Sequence, residues 1–530
     1  MKRFMAKTLC LLAVGTGVGF GCGDDDPPKT PQTEVNVPHY FPPDETPAET
    51  PASGNALRLQ FSGDAAIVVP MAQEGSSKID MSSSFTVTLS GFKSAADADG
   101  VNLKITPVNG LRISQNGTGS FQGDTKTFVV TVQHDDQSPF SCKEETVHVE
   151  PDAVPAGYTY EDGRKSTKVF LKTGESTTCR IPVNQKNIQA FNRYARTSRG
   201  LTLHYELAEN VTLPAPAAGQ SNWTPIGIMN NDSYIFKGSF DGKNRTISNL
   251  KIDTGNDNQG LFGVIGNNAV VEKLGLKNVN ISAGSTVGGV VGHIAGAIVR
   301  DCYVTGSVAG NWYVGGVVGY YERGRLENIY SEATVKGNGQ EVGGIVGAIS
   351  LGTVQNCYAT GSVNGQYYVG GVAGIIKGNA GTVKNCYATG VVEGTGKGDS
   401  PYDQIGLGGV VGHTESNSTV TYSMALNPKF IYEPAPLANP GHVGRVIGFA
   451  NDDRTNFADN YAFDGLKDRS GSTTWPNDEK KNGTNISAEE LDKGTKIPDA
   501  FKGLPWTYEE GRLPGLFGQT VEMPEHLQLP

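Results

Sequence analysis

Hydrophobic and polar residues alternate in short runs between residues 55 and 185. Every second residue of an extended chain faces the same side, so each run predicts a strand with one buried face. Turns rich in Gly, Asp and Ser separate the runs, a pattern typical of an antiparallel sandwich. We predict an Ig-like β-sandwich over residues 55–185. The alternating residues are Leu57, Leu59, Phe61, Phe85, Val87, Leu89, Leu103, Ile105, Phe128, Val130, Val132, Val147, Val149 and Phe170.

The spacing changes from two to about 3.6 residues at 187–196. There Ile188, Phe191, Tyr194 and Ala195 recur at helical spacing. This predicts one short amphipathic helix. A helix at this point would cap the following element and cover an edge that could otherwise recruit another strand.

A unit of the form Val-Gly-Gly-Val-Val-Gly then recurs along the chain, and its first four copies lie 27, 28 and 27 residues apart. A fixed period of this size indicates that each copy is one structural repeat, which buries its apolar face by stacking on its neighbours. We therefore predict an all-β chain in which a right-handed parallel β-helix follows the sandwich. The copies are 287–292, 314–319, 342–347, 369–374 and 407–412, with divergent ones at 260–263 and 443–448.

A second repeated position carries cysteine in several coils and Leu, Ile or Ser in others. It therefore requires a small or medium apolar group that faces the core, and the chemistry of a thiol is not needed there. We predict that these cysteines are buried, unpaired and inert, and that they hold no metal. The residues at this position are Leu274, Cys302, Ile329, Cys357, Cys386 and Ser423.

The residues on either side of this position also repeat. Amide or carboxylate side chains precede it and predict a ladder of hydrogen bonds from coil to coil. Tyrosines follow it and predict a column of rings one strand spacing apart, roughly 4.8 Å, with a structural role. The two columns are Asp301, Asn328, Asn356, Asn385 and Tyr303, Tyr330, Tyr358, Tyr387.

These units resemble GLUG repeats, above all where Asn-Cys-Tyr-Ala-Thr-Gly stands at 356–361 and 385–390. The stretches 223–227, 236–242 and 247–250 resemble the opening coils that precede such repeats. The resemblance covers about residues 186–465, and 506–516 resembles a short closing segment, which we place at 466–530. Departures from the pattern are Arg445 in the last copy and an inserted loop at 394–405.

The resemblance implies a bacterial surface protein. It also makes a peptidase function a candidate, because GLUG repeats accompany metallopeptidases that cleave immunoglobulin A. The chain has no His-Glu-x-x-His pair, which would place two zinc ligands on one helix face. It has no Gly-x-Ser-x-Gly elbow and no phosphate-binding Gly-rich loop. We therefore predict no catalytic residue, metal or cofactor.

Composition adds a limit on partners. The chain has 70 glycines and 18% charged residues, which favours a turn-rich β protein. Its formal charge is −10, and it falls to −13 when Lys2, Arg3 and Lys7 are removed with the predicted signal peptide. An acidic chain without a basic cluster is a poor nucleic-acid binder.

The first 21 residues predict export. Basic residues, an apolar run from Thr8 to Phe20 and small Gly21 form the layout of a secretory signal peptide at 1–21. Gly21-Cys22 resembles the lipobox of bacterial lipoproteins, although Gly19 stands where Leu is usual. The resemblance implies that Cys22 carries acyl chains such as palmitate. The alternative is ordinary cleavage with Cys22 incidental.

The residues after Cys22 predict where the protein is displayed. Asp24-Asp25-Asp26 is similar to the acidic signal of lipoproteins on the outer face of the outer membrane. Eight prolines between 27 and 53 indicate that residues 22–54 form an extended tether without a core. We expect the protein to be lipid-anchored in the outer membrane and exposed at the cell surface.

Cys142 and Cys179 are the cysteines of the sandwich region, and an exported protein lies where a disulfide can persist. A bond forms only if the two Cα atoms lie within reach. Sequence leaves this pairing open.

Aromatic residues precede two of the glycine units. Trp312, Tyr313, Tyr367 and Tyr368 take positions held in other coils by Ser, Thr, Gln and Glu. If each repeat is one coil, the two pairs lie two coils apart on one edge, about 10 Å by strand spacing. Exposed rings at that separation could stack on a glycan or anchor a protein partner. The alternative is that they cover the sheet edge.

Three functions fit these observations. The first is a surface lipoprotein that displays a β-helix to bind a glycan or a host or bacterial surface protein. The second is a carbohydrate-active enzyme, which requires a groove lined by carboxylates. The third is a structural component of fimbriae or a surface layer, which requires exposed strands for assembly.

Overall fold

The computed structural model describes residues 55–62, 66–72, 79–80, 82–135, 141–161, 165–229, 234–378, 380–396, 405–415, 417–432, 442–451, 456–476 and 478–529. The predicted signal peptide, Cys22 and the predicted tether lie outside the described residues. Residues 52–530 form one compact unit.

The N-terminal part is a β-sandwich, as predicted. One sheet has the strand order Thr159–Tyr160, Ala56–Ser62, Ser82–Ser90, Thr125–His134, Leu111–Gln122. The second has the order Ala66–Val68, Ser166–Leu171, Lys143–Pro151, Leu103–Ile105. Met71–Ala72 pairs with Ile79–Asp80 beside them. Alternate residues of the long strands, among them Val87, Leu89, Phe128, Val130 and Val132, form one buried core because successive side chains point to opposite faces.

Most of the remaining strands form a parallel β-helix. Its main sheet begins at Ile181 and its last strand ends at Ile486, so the coils extend beyond the predicted limits of 186 and 465. The strands of the main sheet are Ile181–Val183, His204–Leu207, Val211–Thr212, Ser239–Ser248, Lys251–Asp253, Phe262–Gly266, Val270–Ser282, Val291–Gly310, Val318–Ser331, Thr334–Gly337, Val346–Ile349, Thr353–Ala359, Val363–Gly365, Ala373–Ile376, Thr382–Ala388, Val392–Gly394, Val411–Thr414, Thr419–Thr421, Met424–Ala425, Phe430–Tyr432, Ile447–Ala450, Asn456–Ala458, Tyr461–Phe463 and Thr484–Ile486.

A second, narrow parallel sheet is built from the first residues of the glycine units. Its strands are Val287–Gly288, Val314–Gly315, Val342–Gly343, Tyr368–Gly370, Gly406–Gly408 and Val443–Gly444. The glycines are required because the chain turns back closely here. A Cβ atom on Gly370 would lie 2.0 Å from the carbonyl oxygen of Ala373 and 2.7 Å from the amide nitrogen of Gly412 in the next coil.

The helices are short. The α-helices are Ala95–Ala98, Ile188–Ala195, Glu479–Asn482 and Ala488–Asp492, and the 3-10 helices are Gly200–Thr202, Asp499–Phe501 and Glu525–Leu527. Helix Ile188–Ala195 is the predicted cap. Its Phe191 packs 4.8 Å from the ring of Tyr205 and 5.6 Å from that of Phe240, inside the first coils.

The cysteine position lies in the core of the coils, as predicted. Cys302, Ile329, Cys357 and Cys386 are in register on successive coils and have no exposed surface. Burial raises the pKa of Cys302 and of Cys357, so their thiols stay protonated and unreactive at neutral pH.

The amide ladder is also present. The side-chain amide of Asn328 donates to Asp301, that of Asn356 to Asn328 and that of Asn385 to Asn356, at 2.8 to 3.1 Å. These residues have φ between 51° and 56°, the left-handed region that Asn and Asp tolerate best among residues with a Cβ atom. Both the hydrogen bonds and the sharp corner of the coil therefore favour amides at this position.

The tyrosines stack as predicted. In what we call the tyrosine ladder (Tyr303, Tyr330, Tyr358 and Tyr387), successive ring centroids lie 4.7 to 5.1 Å apart with interplanar angles of 3° to 6°.

The closing segment (466–530) folds along this ladder. The hydroxyl of Tyr387 donates to the carbonyl of Pro514 at 2.6 Å, and the ring of Trp506 lies 6.0 Å from that of Tyr387. Trp506–Thr507 pairs with Gly515–Leu516 in a small antiparallel ribbon. The buried end of the ladder is thus covered by the end of the chain.

Cys142 and Cys179 form a disulfide in the structure, with their Cα atoms 6.0 Å apart. Cys142 directly precedes the sandwich strand Lys143–Pro151, whereas Cys179 lies two residues before Ile181–Val183, the first strand of the β-helix. The bond therefore links the two parts of the compact unit at their junction.

Candidate binding surface

The predicted aromatic residues lie on one edge of the β-helix, which we call the aromatic edge (Trp312, Tyr313, Tyr367 and Tyr368). Val314 pairs with Val342 and Val342 pairs with Val369. The two aromatic pairs are consequently two coils apart, in the register that the sequence predicted.

The expectation that all four rings are exposed is wrong for three of them. Trp312 is 55% exposed, but Tyr313, Tyr367 and Tyr368 are half-buried. Tyr313 has a φ of 54°, and its ring packs 5.5 Å from that of Tyr320. The ring of Tyr368 lies 4.5 Å from that of His413. These two tyrosines therefore lean against neighbouring side chains.

Trp312 and Tyr367 occupy equivalent positions and form the outer row of this edge. Each ring lies on a glycine. A Cβ atom on Gly339 would fall 1.9 Å from Cδ1 of Trp312, and one on Gly396 would fall 2.8 Å from Cε1 of Tyr367. The absence of a side chain beneath them lets both rings lie close to the backbone, and in Trp312 it leaves more than half of the residue surface open to solvent.

An ion pair lies between the two aromatic pairs, and the spacing of the repeats does not indicate it. Glu341 occupies the coil between Tyr313 and Tyr368 and is 4% exposed. Its carboxylate lies 2.8 Å from Nζ of Lys377, and that ammonium group also donates to the hydroxyl of Tyr313 at 3.1 Å. Nζ lies 4.5 Å from the centroid of the Tyr313 ring, so a cation–π contact also holds the lysine.

Burial raises the pKa of Glu341, and the hydrogen bond from Lys377 opposes this shift. Burial alone would lower the pKa of Lys377, but the hydrogen bond and charge of Glu341, with Tyr313, raise it overall. The lysine stays charged, and its contacts with Tyr313 hold that ring in place.

Histidine and phenylalanine continue the stack beyond Tyr368. His413 lies in register between Ile375 and Phe449, and its ring is 5.0 Å from that of Phe449. Burial lowers the pKa of His413 to about 4. The ring is therefore neutral at physiological pH, and it packs as an aromatic group.

The coils also carry a row of charged side chains. Arg180 reaches Asp241 at 2.6 Å and Glu272 at 3.5 Å, while Arg300 binds the same Glu272 at 2.6 Å. Glu327, in the coil after Arg300, accepts from Gln355 at 2.7 Å. Each of these carboxylates is held by a guanidinium or amide group, an arrangement that connects one coil to the next.

No group of three or more His, Cys, Asp or Glu side chains in the described part of the chain is arranged to hold a metal ion. No helix among the described residues is both long and apolar enough to cross a membrane.

Comparison with known proteins identifies relatives of the repeat. The family described as the GLUG motif matches residues 283–309, 310–336 and 338–364. Halomucin from Haloquadratum walsbyi is 32% identical over 276 residues, which is 49% of this chain and 3% of halomucin. The chain therefore spans a small fraction of the length of that relative.

A solved structure is also similar. It is described as a "putative immunoglobulin A1 protease" from Bacteroides ovatus, and it is 20% identical with a TM-score of 0.44. The similarity covers 65% of this chain and 94% of that chain.

Proposed function

We propose that this chain, a β-helix with GLUG repeats, is a bacterial surface lipoprotein that holds its coils away from the membrane and binds a glycan through the outer row of the aromatic edge. The observation that carries the binding proposal is the exposed indole of Trp312 lying on Gly339. The repeat itself does not demand a ring there, because Ser285 and Gln340 occupy the equivalent positions.

The composition of the outer row favours a sugar over a protein partner. Trp312 and Tyr367 present flat rings two coils apart, with the exposed amide of Asn311 beside Trp312 and Gln340 in the coil between. Flat rings stack on the apolar faces of sugars, while planar amides can donate to and accept from hydroxyl groups. The charged groups of this edge, Glu341 and Lys377, neutralise each other. A neutral glycan therefore fits this row better than a charged one.

The binding proposal is tested on a glycan array with the chain from residue 55 onward. Trp312→Gln and Tyr367→Gln introduce the residue that the repeat itself uses at Gln340, so the coil should tolerate both. We expect the double variant to lose binding to every glycan that the unmodified chain retains, and Trp312→Phe to keep part of it. A double variant that binds glycans as well as the unmodified chain would refute the proposal.

The anchoring proposal rests on Cys22 and the apolar segment before it. Acyl chains would partition into the membrane, and stable anchoring by this route requires more than one chain. Cells grown with a labelled palmitate analogue should incorporate label into the chain, and Cys22→Ser should abolish that labelling. Equal labelling of the variant would show that Cys22 is not the acylated residue.

A further inference from the structure

A groove with a volume of about 850 Å³ lies between the tyrosine ladder and the closing segment. It shares no lining residue with the aromatic edge. Its volume falls within the range of about 300 to 1,000 Å³ that is usual for small-molecule sites. The sequence pattern did not predict it, because its two walls are far apart in the chain.

The floor of the groove offers the edges of aromatic rings. One face of Tyr303 is covered by Tyr330, 4.7 Å away. The other lies over Gly275, where a Cβ atom would fall 2.4 Å from Cζ of Tyr303. Tyr330 is covered in the same way on both faces by Tyr303 and Tyr358. A sugar therefore finds no free ring face on this floor, and a ligand meets phenolic edges.

The opposite wall carries an exposed aromatic residue, Phe517. This side chain is 41% exposed, and its centroid lies 5.7 Å from that of Tyr330. Its φ is 60°, a conformation that is unfavourable for a bulky residue and that the following Gly518 adopts at no steric cost.

The charges of the lining all have one sign. Glu332 and Glu522 are the acidic side chains of the groove, and the lining contains no lysine or arginine. Neither carboxylate forms an ion pair among the described residues. His526 also lines the groove, and burial lowers its pKa, so it stays neutral at pH 7. Burial raises the pKa of Tyr330 and of Tyr358. Tyr303 adds to the shift of Tyr330, Tyr330 adds to that of Tyr358, and the negative charge of Glu332 adds to both. Both phenols therefore stay protonated at neutral pH.

We propose that this groove binds a small organic cation that carries ammonium groups. Glu332 and Glu522 supply the opposite charge, the face of Phe517 supplies a cation–π contact, and the phenolic oxygens accept hydrogen bonds. Anionic ligands are disfavoured by the two carboxylates. This site is independent of the glycan surface at the aromatic edge.

The probe is spermidine, titrated calorimetrically into the full chain at low and physiological salt. Glu332→Gln removes one charge with little change in shape. Phe517→Asn removes the ring and places at this position a residue that suits a left-handed backbone, so folding should not suffer. Glu489→Gln is the matched control, because Glu489 is an exposed carboxylate outside the groove.

We expect Glu332→Gln and Phe517→Asn each to weaken spermidine binding at least fivefold, and Glu489→Gln to leave it unchanged. Equal weakening by all three variants would show a general attraction to an acidic protein and overturn the proposal. Unchanged binding in the first two variants would overturn it as well, and so would binding of chitotriose in the groove with no binding of spermidine.

Discussion

The tyrosine ladder and the aromatic edge lie on the same coils but differ in how their rings are used. In the ladder every coil from Cys302 to Cys386 contributes a ring, and successive rings stack face to face within 5.1 Å. At the aromatic edge the rings of Trp312 and Tyr367 are separated by the coil of Gln340, so they cannot stack on each other. A column filled in every coil is architectural, whereas an interrupted column leaves ring faces open.

The contacts of the closing segment also differ between the tyrosine ladder and the aromatic edge. Residues from Phe501 to Phe517 pack along the ladder, and the rings of Phe501 and Trp506 contact Tyr387 at 6.1 and 6.0 Å. None of the contacts described for the closing segment involves Trp312. The ladder therefore provides the surface on which the closing segment folds, and Trp312 stays exposed at the aromatic edge.

Removing a buried ring of the tyrosine ladder should destabilise the protein strongly. Tyr387 is fully buried and donates to the carbonyl of Pro514. We predict that Tyr387→Ala lowers the free energy of unfolding by about 3 to 5 kcal/mol, the usual cost of deleting a large buried aromatic side chain. Denaturant titration measures this change. Tyr303→Ala is the matched control at the half-buried end of the ladder and should cost clearly less. Equal losses of unfolding free energy in the two variants would contradict the idea that packing of the closing segment on Tyr387 stabilises the protein.

A second prediction concerns pH and the stack beyond Tyr368. Because burial lowers the pKa of His413 to about 4, the folded chain binds a proton there less readily than the unfolded chain, whose histidine has a pKa near 6.5. The contribution to stability is complete above pH 6.5 and is lost as the pH falls from 6.5 towards 4. Linkage gives a loss of about 2 kcal/mol at pH 5 relative to pH 7.5.

The matched variant is His413→Ile, since Ile375 fills the same position in the preceding coil. His442 and Glu415 also influence His413, so the comparison is the difference in pH dependence between the two chains. We expect the variant to lose about 2 kcal/mol less than the unmodified chain between pH 7.5 and 5. Identical pH profiles from denaturant titrations would show that His413 is not held neutral.

Much of the β-helix was predictable because the period places equivalent residues in neighbouring coils. Cys357 could be assigned to the core because Ile329 replaces it, and the stacking of Tyr358 on Tyr330 follows from the same spacing. The neighbours of such a residue can be assigned from the sequence alone, because they are the equivalent residues of the adjacent repeats. The sandwich followed equally directly from alternation.

The parts that escaped prediction depend on side chains from different repeat positions. Glu341 and Lys377 meet across coils, and no spacing in the sequence marks them as partners. The exposure of Tyr313 was overestimated because its left-handed φ and its contact with Tyr320 are properties of the fold. The groove at Phe517 depends on the path of the closing segment, which has no period. The repeat therefore predicts the scaffold, but it does not predict sites that are formed by residues from different repeat positions or from outside the repeats.

A substitution at Trp312 tests whether an exposed ring is needed for stability or for binding. Trp312 is 55% exposed, is the aromatic edge residue with the most open surface, and replaces a Gln or Ser of other coils. We predict that Trp312→Gln changes the free energy of unfolding by less than about 0.5 kcal/mol, as is usual for surface substitutions, while it removes glycan binding. Loss of the contact with Gly339 opposes the gain from removing an exposed apolar ring, so the two contributions largely cancel. Thermal and denaturant unfolding of the same preparation used on the array checks both quantities. A loss of stability as large as that of Tyr387→Ala would mean that the indole covers the coil edge as the ladder covers its face, and the distinction between the two columns would fail.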